Sequence, residues 1–359
     1  MKVRLLCIVA LTFLLMSTFV SCSNERGSRG LHFEETNGGY TVYQGSCTEN
    51  SIVIPSTYKG KPVIAIGDSG FKECKATSIS IPDSVLTIGE EAFYNTDLII
   101  ITLGNGVQTI EDKAFYLSGL IRKIFIPASV TSIGAQAFVC YKLDTIEVDS
   151  NNQNFKSIDG VLYSKDGKTL IAYPEGKDEQ YLTISDGVEH IGEYAFWNNT
   201  TIHTVTFPDT VLDVGKEAFY QCANLTWIDM GNGLQTIGEW AFAYCNDIIG
   251  IEFSESLKTI KEGAFAHSDS TKFTQLDLPG GVTEIGDMAF KNCFFLTHVN
   301  IPSSVKSIGA YAFEITQIET IRYEGTRSQW NGIIKKNCWN GYNPMTVYCS
   351  DGKVTHRGN

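Results

Sequence analysis

Residues 233–253 read GLQTIGEWAFAYCNDIIGIEF, and the spacing inside this stretch decides the fold. Its apolar positions are Leu234, Ile237, Ala241, Phe242, Ile248, Ile251 and Phe253. The end of the unit, Ile248-x-x-Ile251-x-Phe253, approaches the two-residue alternation of a strand with one buried side. Before Ala241-Phe242 lies an apolar-x-x-Ile-Gly segment, whose glycine suits a sharp corner or a positive φ. Between corner and strand there is room for one helical turn at most.

The same unit recurs along the chain. Phenylalanine returns at Phe71, Phe93, Phe115, Phe138, Phe196, Phe219, Phe242, Phe265, Phe290 and Phe313, preceded by alanine in all but the first, where Gly70 stands. Most steps are 22 to 25 residues, and the exception, 58 residues from Phe138 to Phe196, is one period plus about 35 inserted residues. A period in the low twenties marks a solenoid, in which a unit cannot bury its apolar face alone and stacks on its neighbours. Each unit is therefore expected to be strand, turn, short strand, corner and single helical turn. Phenylalanine and isoleucine fill the interior. Proline closes several strands (Pro82, Pro127, Pro208, Pro279, Pro302), because it lacks a ladder donor.

The repeated pattern V-x-x-I-G-x-x-A-F-x-x-C-x-x-L-x-x-I-x-I-P resembles the BspA-type leucine-rich repeat, a type also found in a treponemal surface protein family. The resemblance implies a right-handed leucine-rich-repeat solenoid with parallel short strands. About ten repeats span 63–323, with an N-terminal strand cap at 34–62, an insert at 149–184 and a C-terminal cap at 324–359. Glu111 and Lys261 depart from the corner glycine, and only some units keep the cysteine. The resemblance implies adhesion to host matrix proteins or to other bacteria, an inference at the level of fold.

Residues 1–21 combine Lys2 and Arg4 with an apolar run from Leu5 to Val20, the composition of a secretion signal and short for a spanning helix. Ser21-Cys22 resembles a bacterial lipobox, which makes Cys22 the expected lipid anchor and residues 22–33 a polar tether. The expected location is the cell envelope, as an outer-membrane lipoprotein exposed at the cell surface. Loss of the leader removes two basic residues and takes the formal net charge from −12 to −14. Such a charge argues against nucleic acid as a partner.

Chemistry is sparse. The six histidines are scattered without metal-ligand spacing, no C-x-x-C pair occurs among the ten cysteines, and neither a G-x-S-x-G elbow nor a phosphate-binding glycine loop is present. No catalytic residue, metal or cofactor is expected. Cys74, Cys222, Cys245 and Cys293 lie three residues after the repeat phenylalanine, where other units carry Thr96, Ser118, Asn199, Ser268 or Thr316. The slot reads as one for a small buried side chain, with Cys222–Cys245 and Cys338–Cys349 left as open disulfide pairings. In the insert, two apolar runs around Lys165-Asp166-Gly167 read as a β-hairpin.

The functional expectation falls on the open face of the final strand. Residues flanking its buried central position point to solvent. One row then carries Phe125, Asp229, Glu252 and Asp277, and its companion carries Ile100 and Trp227. Three acids on consecutive coils beside an exposed tryptophan suit a cationic or amphipathic partner, either an extracellular or host protein or a glycan. A glycan-binding accessory role in polysaccharide uptake requires several aromatic platforms on this face, and a structural envelope protein requires no saturable ligand. The assignment depends on strand phase, since a slip of one residue exchanges the two faces.

Overall fold

The structure, a computed structural model, describes residues 27–269, 272–341 and 344–356. The expected leader and Cys22 lie outside the described residues. Coils stack along one axis, and three lines of hydrogen bonds, each interrupted in places, run from coil to coil. Along the first line, the two-residue strands before the corner pair in parallel (Thr87–Ile88, Thr109–Ile110, Ser132–Ile133, and after the insert His190–Ile191 through Ser307–Ile308). Along the second, three- and four-residue outer strands pair in parallel, as in Thr204–Thr206 with Trp227–Asp229 and Gly250–Glu252.

The third line runs through the Ala-Phe corner and contains no helix. The residues two before and two after the phenylalanine adopt left-handed backbone, as at Glu91 and Asn95 (φ 51° and 53°) or Trp240 and Tyr244 (54° and 60°). Alternation of left- and right-handed residues aims every second N–H along the solenoid axis. Glu91, Phe93 and Asn95 donate to the carbonyls of Asp112, Ala114 and Tyr116 at 2.8–3.0 Å. The intervening N–H groups close tight turns instead, as in Tyr94 to Glu91 at 2.9 Å. A helical turn would direct these amides within its own coil and leave the neighbouring coil unbonded.

The corner glycines do not have positive φ, and close approach accounts for them. A Cβ on Gly89 would lie 2.5 Å from Asp68 Oδ1 of the preceding coil, and one on Gly309 would lie 2.2 Å from the Asp287 nitrogen. The phenylalanines form a column inside. Phe219, Phe242 and Phe265 are fully buried, with ring centroids 5.0 and 5.4 Å apart and nearly parallel planes. The small-residue slot also acquires a role. The thiols of Cys222, Cys245 and Cys293 donate to the carbonyls of Phe196, Phe219 and Phe265 at 3.2 Å, and Ser118 Oγ donates to that of Phe93. Cys140 fills the slot too, although it follows Phe138 by only two residues. All eight cysteines among the described residues are free, so neither candidate disulfide is formed.

Both ends are capped. Ser28 already bonds Val53 at 2.9 Å, so the N-terminal cap begins several residues before position 34. At the far end, the helix Arg327–Gly332 is closed by a capping box at Thr326 and Gln329 and buries Trp330. The antiparallel pair Met345–Cys349 and Gly352–His356 completes the last sheet. Among the described residues no helix is long and apolar enough to cross a membrane.

The insert is a distorted coil with a hairpin attached. Val161–Ser164 and Thr169–Ala172 pair antiparallel around residues 165–167, and Thr169–Leu170 then pairs in parallel with His190–Ile191 of the next repeat. Tyr173 takes the place of the phenylalanine. Its ring stacks on Phe196 at 4.9 Å, and its N–H donates to Ala195, the bond that phenylalanine makes in regular coils. The 58-residue step is thus 35 to Tyr173 and 23 onward to Phe196. Strand Val161–Ser164 forms a partition: Leu162 joins the N-terminal core, whereas Val161 and Tyr163 join the C-terminal one.

Replacing Phe242 with alanine leaves a void between two rings and is expected to destabilise the protein by about 3–5 kcal/mol. Denaturant unfolding monitored by circular dichroism measures the loss.

Candidate functional site

The outer strands have the phase that the binding-face assignment requires. In Trp227–Asp229, Ile228 is fully buried while its neighbours face outward, and Leu276 is likewise buried between Gln275 and Asp277. Ile100 (60% exposed) and Phe125 (44%) stand on the same face nearer the N-terminus. Trp227 is 40% exposed because its ring lies over the next coil, where a Cβ on Gly250 would come 2.3 Å from Trp227 Cζ3. Glycine at 250 therefore makes the bed on which the indole rests.

The row of three acids is not continuous. Asp229 and Glu252 are paired in register, but Asp277 begins a separate sheet, because the strands Gly250–Glu252 and Gln275–Asp277 do not pair. The 25-residue step from Phe265 to Phe290 places two extra residues between these coils. Asp229 is also partly engaged, its Oδ1 accepting the Gly231 N–H at 3.0 Å, while Asp277 Oδ2 accepts from Gln275 Nε2 at 2.7 Å.

One residue on this face was hidden in the insert. Tyr181, 73% exposed, pairs in register with Thr204, which pairs with Trp227. Two aromatic side chains thus rise from one row with a threonine between them, roughly 10 Å apart at two strand spacings. The signal was available in Tyr181-Leu182-Thr183, which repeats the exposed–buried–exposed pattern, but no phenylalanine on the beat precedes it. Tyr348, half exposed, stands in register with Arg322 at the C-terminal end of the face.

A second feature lies at the corner ladder where the insert enters. Lys113 and Phe115 donate to Ala135 and Ala137 at 2.8 and 2.9 Å, but among the described residues no matching bonds leave Gln136 or Phe138 for the next coil. Among the described residues no ring contact joins Phe138 to Tyr173, although both columns are continuous up to that gap. A recess of about 230 Å³ opens there, bordered by Gln136, Phe138, Tyr173, Glu175, Glu193 and Trp197. Tyr116 and Trp197 approach across the seam with ring centroids 5.5 Å apart. Glu175 is only 8% exposed; its Oε1 accepts from Asn198 Nδ2 at 3.4 Å, and its buried Oε2 has no partner. Burial pushes its carboxyl up to about 7.

Stacked coils with parallel outer strands and a phenylalanine column define a leucine-rich-repeat solenoid. The chain belongs to the BspA-type leucine rich repeat family, whose model matches residues 40–163, 175–274 and 268–346. Among solved structures, it is similar to a leucine-rich repeat protein from Eubacterium ventriosum (22% identity, covering 91% of this chain and 98% of that one, TM-score 0.62). It is also similar to the pneumococcal vaccine antigen PcpA (18% identity, 90% and 93%, TM-score 0.52). A leucine rich cell surface protein from Faecalibacterium prausnitzii matches at 27% identity over 87% of this chain and 98% of that one, with a TM-score of 0.49. No curated protein matches the chain.

Because the folded-state carboxyl of Glu175 is raised above its ordinary 4.5, the stability tied to its protonation is fully present below about pH 4.5. That stability is lost as pH rises through about 7. Glu175→Gln is accordingly expected to raise stability at pH 8 by on the order of 1–3 kcal/mol. The difference from the parent closes below pH 5, and melting curves across pH 4–8 read it directly.

Proposed function

We propose that this chain is a non-catalytic cell-envelope or surface lipoprotein, anchored through Cys22, that binds extracellular or host proteins or glycans on its outer strand face. The observation that carries the reading is the pair Tyr181 and Trp227 on one row, both exposed and flanked by polar side chains. Large aromatic groups presented by a rigid sheet supply contact area at little entropic cost, and they are the usual anchors of binding surfaces. Gly250 holds the indole flat, so its outer surface is ready before a partner arrives. The anchor and surface location rest on the composition of the leader and on what family membership implies.

The glycan reading has specific support. It requires several aromatic platforms on one face, and Tyr181 and Tyr348 add to Trp227 and Phe125 there. A role as accessory lipoprotein in polysaccharide uptake follows from that reading.

Screening a fragment spanning 23–359 against host matrix proteins and glycans is expected to return saturable ligands. Combined Tyr181→Ala and Trp227→Ala substitution should weaken binding tenfold or more with the melting curve preserved, and Trp227→Ala with Asp229→Ala should act in the same direction. Unchanged affinity in both double variants sinks the assignment to this face. Arrays without a saturable hit favour a structural envelope role.

A further inference from the structure

The seam between Phe138 and Tyr173 has the features of a small-molecule site independent of the strand face. Its border includes the carboxylate of Glu175, which is more than nine-tenths buried and has one oxygen without a donor. Leaving such an atom unsatisfied is costly, and buried acceptors normally find a partner. Among the recess-lining residues there is a second acid, Glu193, but neither lysine nor arginine, and the nearby Lys177 lies over the Tyr173 ring and donates to the Asp159 carbonyl at 2.8 Å. The missing partner is therefore a donor, and a positively charged one gains most from a carboxylate in a low-dielectric setting.

The walls narrow the class further. Phe138, Tyr173 and Trp197 offer aromatic surface, which attracts an ammonium as well as an apolar body. Gln136 and Phe138 lie on the wall where the ladder is interrupted, and their N–H groups make none of the inter-coil bonds that their counterparts Lys113 and Phe115 make. A backbone edge of this kind calls for an acceptor on the ligand. A volume near 230 Å³ lies below the range of about 300–1,000 Å³ typical of drug-sized sites.

We infer that the recess binds a small α-ammonium compound with a carbonyl acceptor beside the nitrogen, as in a free amino acid or the first residue of a short peptide. Glu175 receives the ammonium, the open N–H edge at Gln136 and Phe138 receives the carbonyl or carboxylate, and the side chain rests on the Tyr173 and Trp197 rings. The arrangement needs no regular coil to be broken elsewhere, because the insert has already opened the ladder.

The test titrates the 23–359 chain with the twenty free amino acids, their amides, dipeptides and N-acetyl derivatives, reading thermal shift and calorimetry. At least one free amino acid or dipeptide is expected to raise the melting temperature progressively with concentration. Its N-acetyl derivative is expected to fail. Free amino acids and peptide N-termini are separated by whether the amide and the dipeptide retain binding. Glu175→Gln should weaken binding at least tenfold while remaining folded, and Trp197→Leu should weaken it several-fold. No shift with any compound, a recess holding only water, or full binding by Glu175→Gln would each overturn the proposal.

Discussion

Everything in this molecule depends on each coil returning in register with the last, so that backbone amides meet carbonyls along three parallel lines. The corner imposes the harshest terms. Non-glycine residues such as Glu91 and Trp240 accept left-handed backbone there, at a cost on the order of 1–2 kcal/mol each, because alternation is what points the N–H groups at the next coil. Three inter-coil bonds per corner and a buried phenylalanine offset that cost. A lone unit would retain the strain and lose both returns, which is why the array must be cooperative.

The phenylalanine column and the slot three residues beyond it are one device. Each ring fills the interior, and its carbonyl accepts from the thiol or hydroxyl of the following coil, as with Cys222 on Phe196. This explains why cysteine and serine alternate at a buried position without forming disulfides. Burial holds the Cys293 thiol at about 12 and moves the Cys140, Cys222 and Cys245 thiols further in the same direction, which leaves them protonated donors rather than reactive thiolates.

The insert shows what happens when one corner misses its partner. Strand Val161–Ser164 divides the core, Tyr173 restarts the ring column, and the amides between Phe138 and Tyr173 stay apart. Where regular coils meet, the corner ladder is closed, so the opening beside Glu175 follows from the slip in period. The same slip brings Tyr181 into line with Trp227, so one irregularity shapes both the seam and the binding face.

Much was legible in the chain alone, because period and alternation are local properties. The beat from Phe71 to Phe313 implied the solenoid, and the apolar–polar alternation around Ile228 placed Trp227 and Asp229 outward. Three things required the tertiary structure, since each depends on how one coil lies against another. Gly250 is glycine because an indole from the preceding coil occupies the space of its Cβ. Asp277 is parted from Glu252 because two extra residues prevent their strands from pairing. Glu175 is buried with one oxygen lacking a donor because its coil and that of Phe138 do not close. Residues within a coil announce their own period, but contacts between coils depend on register across 23 residues or more, and a single uneven step changes what each side chain faces.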